Sequence, residues 1–545
     1  MRTASKSAPD PRSGRLPETA PLCWEGDLAA RMVEGIRCYL LQRSAGAAGR
    51  RQRQWKPDLS SSATWAKWLV AQRRRLARML GVGVDRRVRG RGLQILSAAD
   101  AADTAVARGN GYSVHAVRWS VLEGVDGEGL LLLPTGRPRA RMIVLPDADH
   151  TPEQAAGLAP GLPRRQQLAR RLAENGCAVV VPQIVDRDCE HSVIPDIRAT
   201  SMSHREFIYR AAYELGRHVI GYEVETILAL LDAWQGSAPF GVTGYGEGGR
   251  LALYAAALDE RIVAAGVSGA FGPRLHAWQE PIDRNVFGLL RDFGDAEIAA
   301  MIAPRRLLIE TAQMPTVEGP PAESPGRSGA APGALTTPAA EQIAAEVEQA
   351  SRHVAGLRGA AGFLQLIQPQ RGQPGSDVFL RQILRAVGAR QTLAASRPGP
   401  RRMGRPTADP LARRDRVVQQ IIAHTQVALG AAEFRRQEYW SHADHSSAAA
   451  FSRSATRYRR DLSRNVIGEL PASRGALHPR SRLIYDTPAF RGYEIGLDVY
   501  GREGLAEHVF AYGILLVPKG IGPGEQRPVV VCQHGLEGRP QDVAD

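Results

Sequence analysis

Six residues, Gly244-Tyr245-Gly246-Glu247-Gly248-Gly249, join an apolar run ending FGVTGY to an amphipathic stretch beginning RLALYAAAL. A strand turning sharply into a helix in this way is the setting of a nucleophile elbow, in which G-x-S-x-G lifts an attacking side chain to the apex of the turn. The flanking glycines are needed because the strained apex and the close helix leave no room for larger side chains. Gly244 and Gly248 take those places, followed by Gly249, but the apex is Gly246, which carries no atom able to attack a carbonyl. Sliding the frame by one makes Glu247 the attacking residue and puts Tyr245 where a small residue is required, so the first frame is preferred. The same six residues match GxGxxG. A dinucleotide site requires that motif after the first strand and an acid about 20 residues on, at the end of the next strand. Here several strand-like runs come first, and the next one ends Val267-Ser268-Gly269.

An elbow works with an acid and an imidazole that follow it in chain order. Glu310, closing the run RLLIE, stands where the acid belongs, although an ion-paired carboxylate at a strand end fits it equally well. The loop after the final apolar run, Pro369 to Ser376, contains no His, and His353 precedes that run. Without an imidazole no base activates a nucleophile. The loop that should stabilise an oxyanion begins Asp147-Ala148, and a carboxylate there repels developing negative charge; a like loop near the C-terminus begins His534-Gly535, which suits the role. One further constellation places Asp147, Asp149 and His150 after one strand and Asp186, Asp188, Glu190 and His191 after the next. Asp147, His150, Asp186 and His191 are candidates to hold a divalent metal that activates water, against the plainer reading of a hydrogen-bonded rim. The spacing matches no defined metal motif, and no cofactor is expected.

The elements that must position these residues alternate between short apolar runs and amphipathic helices from residue 100 to 390, the pattern of a mostly parallel sheet with helices on both faces. The runs are 129–134, 141–146, 177–184, 240–245, 264–271, 306–311 and 363–368. A helix is predicted over 163–174, from Pro163 to Asn175-Gly176, and another within 204–234, where Val224, Ile227, Leu228 and Leu231 recur at helical spacing. Pro315 to Pro338, rich in Pro, Gly, Ser and Ala, is predicted to be a surface loop.

Around this domain the chain divides into a disordered N-terminus (1–26), a helical arm (27–99), a Pro/Arg-rich linker (391–410), a second helical arm (411–480) and the beginning of a second domain (481–545). The division rests on a repeat. RRQRQW followed by Asp58 and Ser60-Ser61 returns as FRRQEYW followed by Asp444 and Ser446-Ser447, and LLLLP with RMIVLPDADHTPEQ returns as GILLVP with RPVVVCQHGLEGRPQD. Ordered matches at one offset of about 385 residues indicate a tandem duplication of arm plus domain. The second copy reaches only Asp545, so the chain is expected to be a piece of a longer protein.

With 43% hydrophobic residues the 545-residue chain can bury sizeable cores, and it is expected to be soluble, since no run approaches the roughly 20 apolar residues of a membrane span. No signal peptide is visible, and no compartment or oligomeric state follows. The net charge of +14 does not point to nucleic acid: Arg so dominates that Lys6, Lys56, Lys67 and Lys519 are the only lysines among 70 basic residues, and the arginines are interleaved with acids. Five widely spaced cysteines define neither a disulfide framework nor a zinc site.

In WEGDLAARMVEGI, GYGEGGRLALYAAALD, WQEPIDRNVFGLLRDFGDAEIA, VFAYGILLVPK and VVVCQHGLEGRPQD the chain resembles large bacterial proteins of the α/β-hydrolase superfamily, similar to dienelactone hydrolases and acetyl xylan esterases. The resemblance spans nearly the whole chain. It implies an α/β-hydrolase fold, hydrolysis of esters by a Ser-His-Asp mechanism, and an ester or carbohydrate-derived ligand. The chain departs from that pattern at Gly246 and at the loop that lacks His. The complete domain is therefore expected to be a noncatalytic scaffold or ligand-binding domain, with catalysis assigned to the second copy. The alternative is an active hydrolase using Glu247 or a metal held by Asp147, His150, Asp186 and His191.

Overall fold

A computed structural model of the chain describes residues 14–97, 103–192, 199–317, 319, 321–323, 325, 327–389, 392–395, 397–403, 409–473, 475–522, 524–536 and 538–544. They fall into two compact units, one of residues 50–459 and one formed from the stretches before 50 and after 459. This cut runs through both arms read from the sequence.

In the larger unit the apolar runs become strands of one sheet: β1 (Gln94–Leu96), β2 (Ala107–Gly109), β3 (Tyr112–Leu122), β4 (Val125–Pro134), β5 (Arg141–Leu145), β6 (Ala178–Pro182), β7 (Phe240–Tyr245), β8 (Ile262–Ser268), β9 (Arg306–Glu310), β10 (Leu364–Ile367) and β11 (Arg401–Arg402). Their order across the sheet is β10-β9-β8-β7-β5-β6-β4-β3-β2-β11, with β1 against β3. The strands from β10 to β6 run parallel, and β4 is antiparallel to both of its neighbours. In the parallel part, Val242 pairs with Ile143 on one side and Ala265 on the other.

Strands buried on both faces are apolar at nearly every position, which is why these runs were legible as parallel strands. Ile143 and Leu145 point into one hydrophobic layer, and Met142 and Val144 into the other. The first layer is covered by α1 (Ser62–Leu80), α3 (His204–Tyr213), α4 (Val219–Ala233), α5 (Glu247–Leu258), α6 (Ala340–Arg352) and α8 (Pro410–Gly430). The second is covered by α2 (Leu168–Glu174) and α7 (Asp377–Ala386). Burying one Leu, Ile or Val side chain in such a layer stabilises by about 1.5–3 kcal/mol.

Within the larger unit three features depart from the sequence reading, and in the smaller one residues 20–24, expected to be disordered, supply a strand and part of the core. The helix predicted within 204–234 is two helices, α3 and α4, because Gly216 adopts φ 69° at the turn between them. The stretch 315–338 contributes a short strand, Arg327–Gly329, paired in parallel with Ala199–Ser201, so it is more than a surface loop. The linker and second arm also serve the first domain. β11 extends the sheet edge, and α8 lays Val417, Val418 and Ile421 on the sheet while Arg416 reaches the buried Glu128 of β4 at 2.7 Å.

The two like turns of the repeat are built alike. Ser60 Oγ donates to Asp58 Oδ1 at 2.6 Å and Ser61 Oγ accepts from Thr64 N–H at 3.1 Å. Ser446 Oγ likewise donates to Asp444 Oδ1 at 2.6 Å and Ser447 Oγ accepts from Ala450 N–H at 3.1 Å.

The smaller unit is a four-stranded sheet in the order Ala20–Pro21, Arg480–Asp486, Phe490–Tyr500, Val509–Pro518, with Leu22, Trp24, Leu28 and Phe510 at its core. Val529 to Val531, the counterpart of β5 in the repeat, lie outside any strand and are 80–88% exposed. β5 is held by β6 and β7 on its two sides, and no described residues flank Val529–Val531 in that way. No helix among the described residues is long and apolar enough to cross a membrane.

Candidate functional site

β6 lies on one side of β5 and β7 on the other, so the sheet changes direction at β5. Crevices at the carboxyl ends of strands flanking such a switch point are where open α/β sheets bind ligands. Pro146 and Asp147 leave β5 there, and Gly246 leaves β7. Gly246 has φ 58° and ψ −122°, a conformation that side-chain-bearing residues rarely adopt, and it leads directly into α5. The glycine at 244 is a steric requirement, because a Cβ there would lie 2.2 Å from the Gly248 backbone. Gly246 thus stands at a sharp strand-to-helix turn and places no side chain at its apex.

The place above the apex is filled from within the chain. A Cβ on Gly246 would lie 2.2 Å from Asp147 Oδ1 and 2.5 Å from Pro315 Cγ. Asp147 Oδ1 accepts the Glu247 backbone N–H at 2.9 Å. In an active elbow the N–H of the residue after the nucleophile stabilises the oxyanion; here it is committed to a carboxylate. Arg187 holds that carboxylate in place, donating from Nη1 to Asp147 Oδ2 at 2.7 Å and to Asp149 Oδ2 at 2.8 Å. Burial alone would raise the Asp147 carboxyl, yet Arg187 and the Glu247 N–H hold it below the ordinary value. Asp147 is 1% exposed.

Glu247 sits beneath the elbow at 1% exposure, paired with Arg284 Nη1 at 2.8 Å, with Arg187 Nη2 at 3.5 Å and Arg205 Nη2 at 3.8 Å farther off. Burial works to neutralise it, but Arg284, Arg205 and Arg187 keep it strongly ionised. Glu310 occupies the acid's place at the end of β9, and its oxygens are taken by Ser268 Oγ at 2.6 Å and by the N–H groups of Gly375 and Ser376, both at 2.9 Å. Backbone donors of the loop that lacks His thus stand where an imidazole would meet the acid. His353 is engaged elsewhere, with Glu297 at 3.1 Å.

A narrow crevice with a cavity volume of about 40 Å³ opens beside the elbow. Leu162, Leu168, Pro374 and Phe379 give it apolar walls, and Asp147, His150, Tyr245 and Ser268 give it polar ones. His150 stacks on Tyr245 with ring centroids 6.3 Å apart, and burial together with Asp147 pushes the Tyr245 phenol up to about 12.

The four metal candidates are not brought together. Asp147 is bound by Arg187, His150 lies in the crevice, Asp186 accepts from His204 Nδ1 at 2.8 Å, and His191 Nε2 faces Asp415 at 3.2 Å. Among the described residues the group that does gather is Glu190, His191 and Asp415. Arg414 already reaches Glu190 at 2.6 Å and Asp415 at 3.6 Å, supplying the positive charge there. In the smaller unit His534 and Gly535 are exposed, with His534 Nδ1 donating to Gly535 O at 2.9 Å. Arg187 and Pro315 were not singled out from the sequence; the DRD order of Asp186-Arg187-Asp188 was the one available signal for the first, a cation placed among carboxylates.

Part of the chain is similar to a known family. Residues 153–286, which include the elbow, match the model of the dienelactone hydrolase family. No curated protein matches the chain. Similar solved structures include a putative acetyl xylan esterase from Bacteroides fragilis NCTC 9343 (14% identity, 61% of this chain and 83% of that one, TM-score 0.41). Others are a glucuronoyl esterase from Solibacter usitatus (13%, 60% and 94%, TM-score 0.37) and a putative dienelactone hydrolase from Klebsiella pneumoniae subsp. pneumoniae MGH 78578 (14%, 50% and 98%, TM-score 0.30). Residues 153–286 are thus similar to the dienelactone hydrolase family, and the mixed sheet with helices on both faces that surrounds them is consistent with an α/β-hydrolase fold.

Proposed function

We propose that the hydrolase-type domain of this chain is a noncatalytic member of its esterase-like family, serving as a scaffold or as a binding module for a small ester- or carbohydrate-derived ligand in the crevice beside the elbow. One observation carries the reading: Asp147 Oδ1 holds the Glu247 N–H at 2.9 Å, in the space where the side chain of a nucleophile would stand. The domain thereby gives up its attacking atom and its oxyanion donor together. Glu247 does not line the crevice, and its paired, strongly ionised carboxylate is directed into a cluster of arginines. The two like turns, with their shared hydrogen bonds, support a tandem duplication as the origin of the second arm.

The test is hydrolysis of p-nitrophenyl acetate by the full chain, with and without added zinc or a chelator. The expected rate equals that of the buffer. Turnover that disappears in Glu247→Gln, or on chelation, overturns the proposal in favour of the carboxylate or metal reading.

A further inference from the structure

One turn beyond the elbow, α5 buries a guanidinium that the protein leaves without acceptors. Arg250 is 1% exposed, and Nε, Nη1 and Nη2 all lack a hydrogen-bond partner. Its nearest carboxylate oxygen, Asp295 Oδ1, stands 4.0 Å from Nη1, beyond hydrogen-bond reach. Four residues along the same helix, and so on the same face, Tyr254 is fully buried with its hydroxyl also unpartnered. Arg274 Nη1 and Arg284 Nη2 are buried without acceptors as well. These two arginines share Glu280 Oε2, each at 2.9 Å, and Arg284 pairs with Glu247, so that Glu247, Glu280 and Asp295 act on Arg250 through their charge while none of them accepts a hydrogen bond from it. Asp295 accepts the Gly272 N–H, and its carboxyl is raised by burial, which weakens it as a counterion for Arg250.

This interior holds unpartnered donors on Arg250, Tyr254, Arg274 and Arg284, and the only unpartnered acceptors set beside them are the oxygens of Glu247 among the described residues of this cluster. Buried donors without partners are strongly unfavourable, and a buried guanidinium without a matched charge more so. The missing complement is one that accepts several N–H and O–H groups at once and carries negative charge. We propose that Arg250 and Tyr254 form a binding site for a small inorganic anion of halide size behind the elbow, with the free Nη groups of Arg274 and Arg284 adding to the positive field. A monatomic anion suits the site because it accepts from any direction and has no donor of its own to set against the guanidinium. Glu247 and Glu280 limit the charge that can be added to one unit. The bound anion would hold the first turns of α5, and with them the elbow, in place.

The full-length chain is crystallised from bromide, and anomalous scattering is recorded at the bromine edge. A peak within hydrogen-bond distance of the Arg250 guanidinium is expected. In parallel, thermal unfolding is followed in bromide, chloride and gluconate at one ionic strength; both halides are expected to raise the midpoint over gluconate. That difference should shrink in Tyr254→Phe and vanish in Arg250→Met. If Arg250→Met does not fold, the Tyr254→Phe comparison and the bromide peak decide the matter. Water density at the guanidinium, a direct Arg250–Asp295 pair, or midpoints that do not distinguish halide from gluconate overturn the proposal.

Discussion

Removing the carboxylate that fills the elbow offers the most direct handle on the reasoning. Asp147→Ala deletes the acceptor of Arg187 Nη1 at 2.7 Å and of the Glu247 N–H at 2.9 Å. Breaking a buried ion pair by deleting one partner costs about 3–5 kcal/mol. Arg187 keeps Asp149 at 2.8 Å, but that side chain is 49% exposed and replaces only part of what is lost, so a destabilisation of about 3 kcal/mol is expected. The variant then presents a guanidinium and a backbone N–H around a carboxylate-sized space. A free carboxylate should return to it: with a Kd of about 10 mM, acetate at about 0.1 M stabilises by about 1.4 kcal/mol through mass action. The assay is equilibrium denaturant unfolding of Asp147→Ala and the parent chain in sodium acetate and in sodium gluconate at equal ionic strength. The variant should gain in acetate, and the parent, whose site is filled by its own side chain, should respond alike to both salts. An unfolding midpoint untouched by the substitution, or a variant indifferent to acetate, refutes the view that Asp147 occupies an anion site.

Three further outcomes are expected. Gly246→Ser should lower stability by about 2 kcal/mol in denaturant unfolding, from the positive φ and the clash of its Cβ with Asp147 and Pro315, and should show no p-nitrophenyl acetate turnover. Glu310→Ala strands the Gly375 and Ser376 N–H groups, at about 1–3 kcal/mol each, and should speed limited proteolysis of the loop 369–376. Glu346 accepts the Ala296 N–H at 2.9 Å, and burial together with Asp295 and Glu297 pushes its carboxyl up to about 7, against the pull of Arg51. A carboxyl raised in the folded chain holds its proton there after the unfolded chain has released it, so stability falls as pH climbs from 4.5 to 7. At about 1.4 kcal/mol per pH unit this interval amounts to about 3 kcal/mol, and Glu346→Gln should lift the thermal midpoint at pH 8 while leaving it nearly unchanged at pH 5.

What the sequence disclosed follows from how local each signal is. Val179 to Val181 and Met142 to Leu145 are buried on both faces, so their uninterrupted apolar runs announced parallel strands. Tyr112–Leu122 carries His115, Arg118 and Ser120 among its apolar residues and lies toward the antiparallel edge, where that signal fails. α8 was read with the second arm because its assignment to the first domain depends on Arg416 meeting Glu128, two residues far apart in the chain with nothing local to link them. The site divides in the same way. Gly246 and the absence of His from residues 369–376 are matters of residue type and were plain. The hold of Arg187 on Asp147, and the arrival of Pro315 over the elbow, are contacts between loops that no periodicity encodes.

The mutual fit of Gly246 and Asp147 bears on how the two positions can change. Each residue makes the other tolerable: the carboxylate can lie where it does only while position 246 lacks a side chain, and a serine restored there meets an oxygen already in its space. Exchanging Asp147 alone removes the plug without supplying chemistry. Replacing either residue alone therefore leaves the elbow with a clash or without an attacking group, so the two positions can be exchanged productively only together.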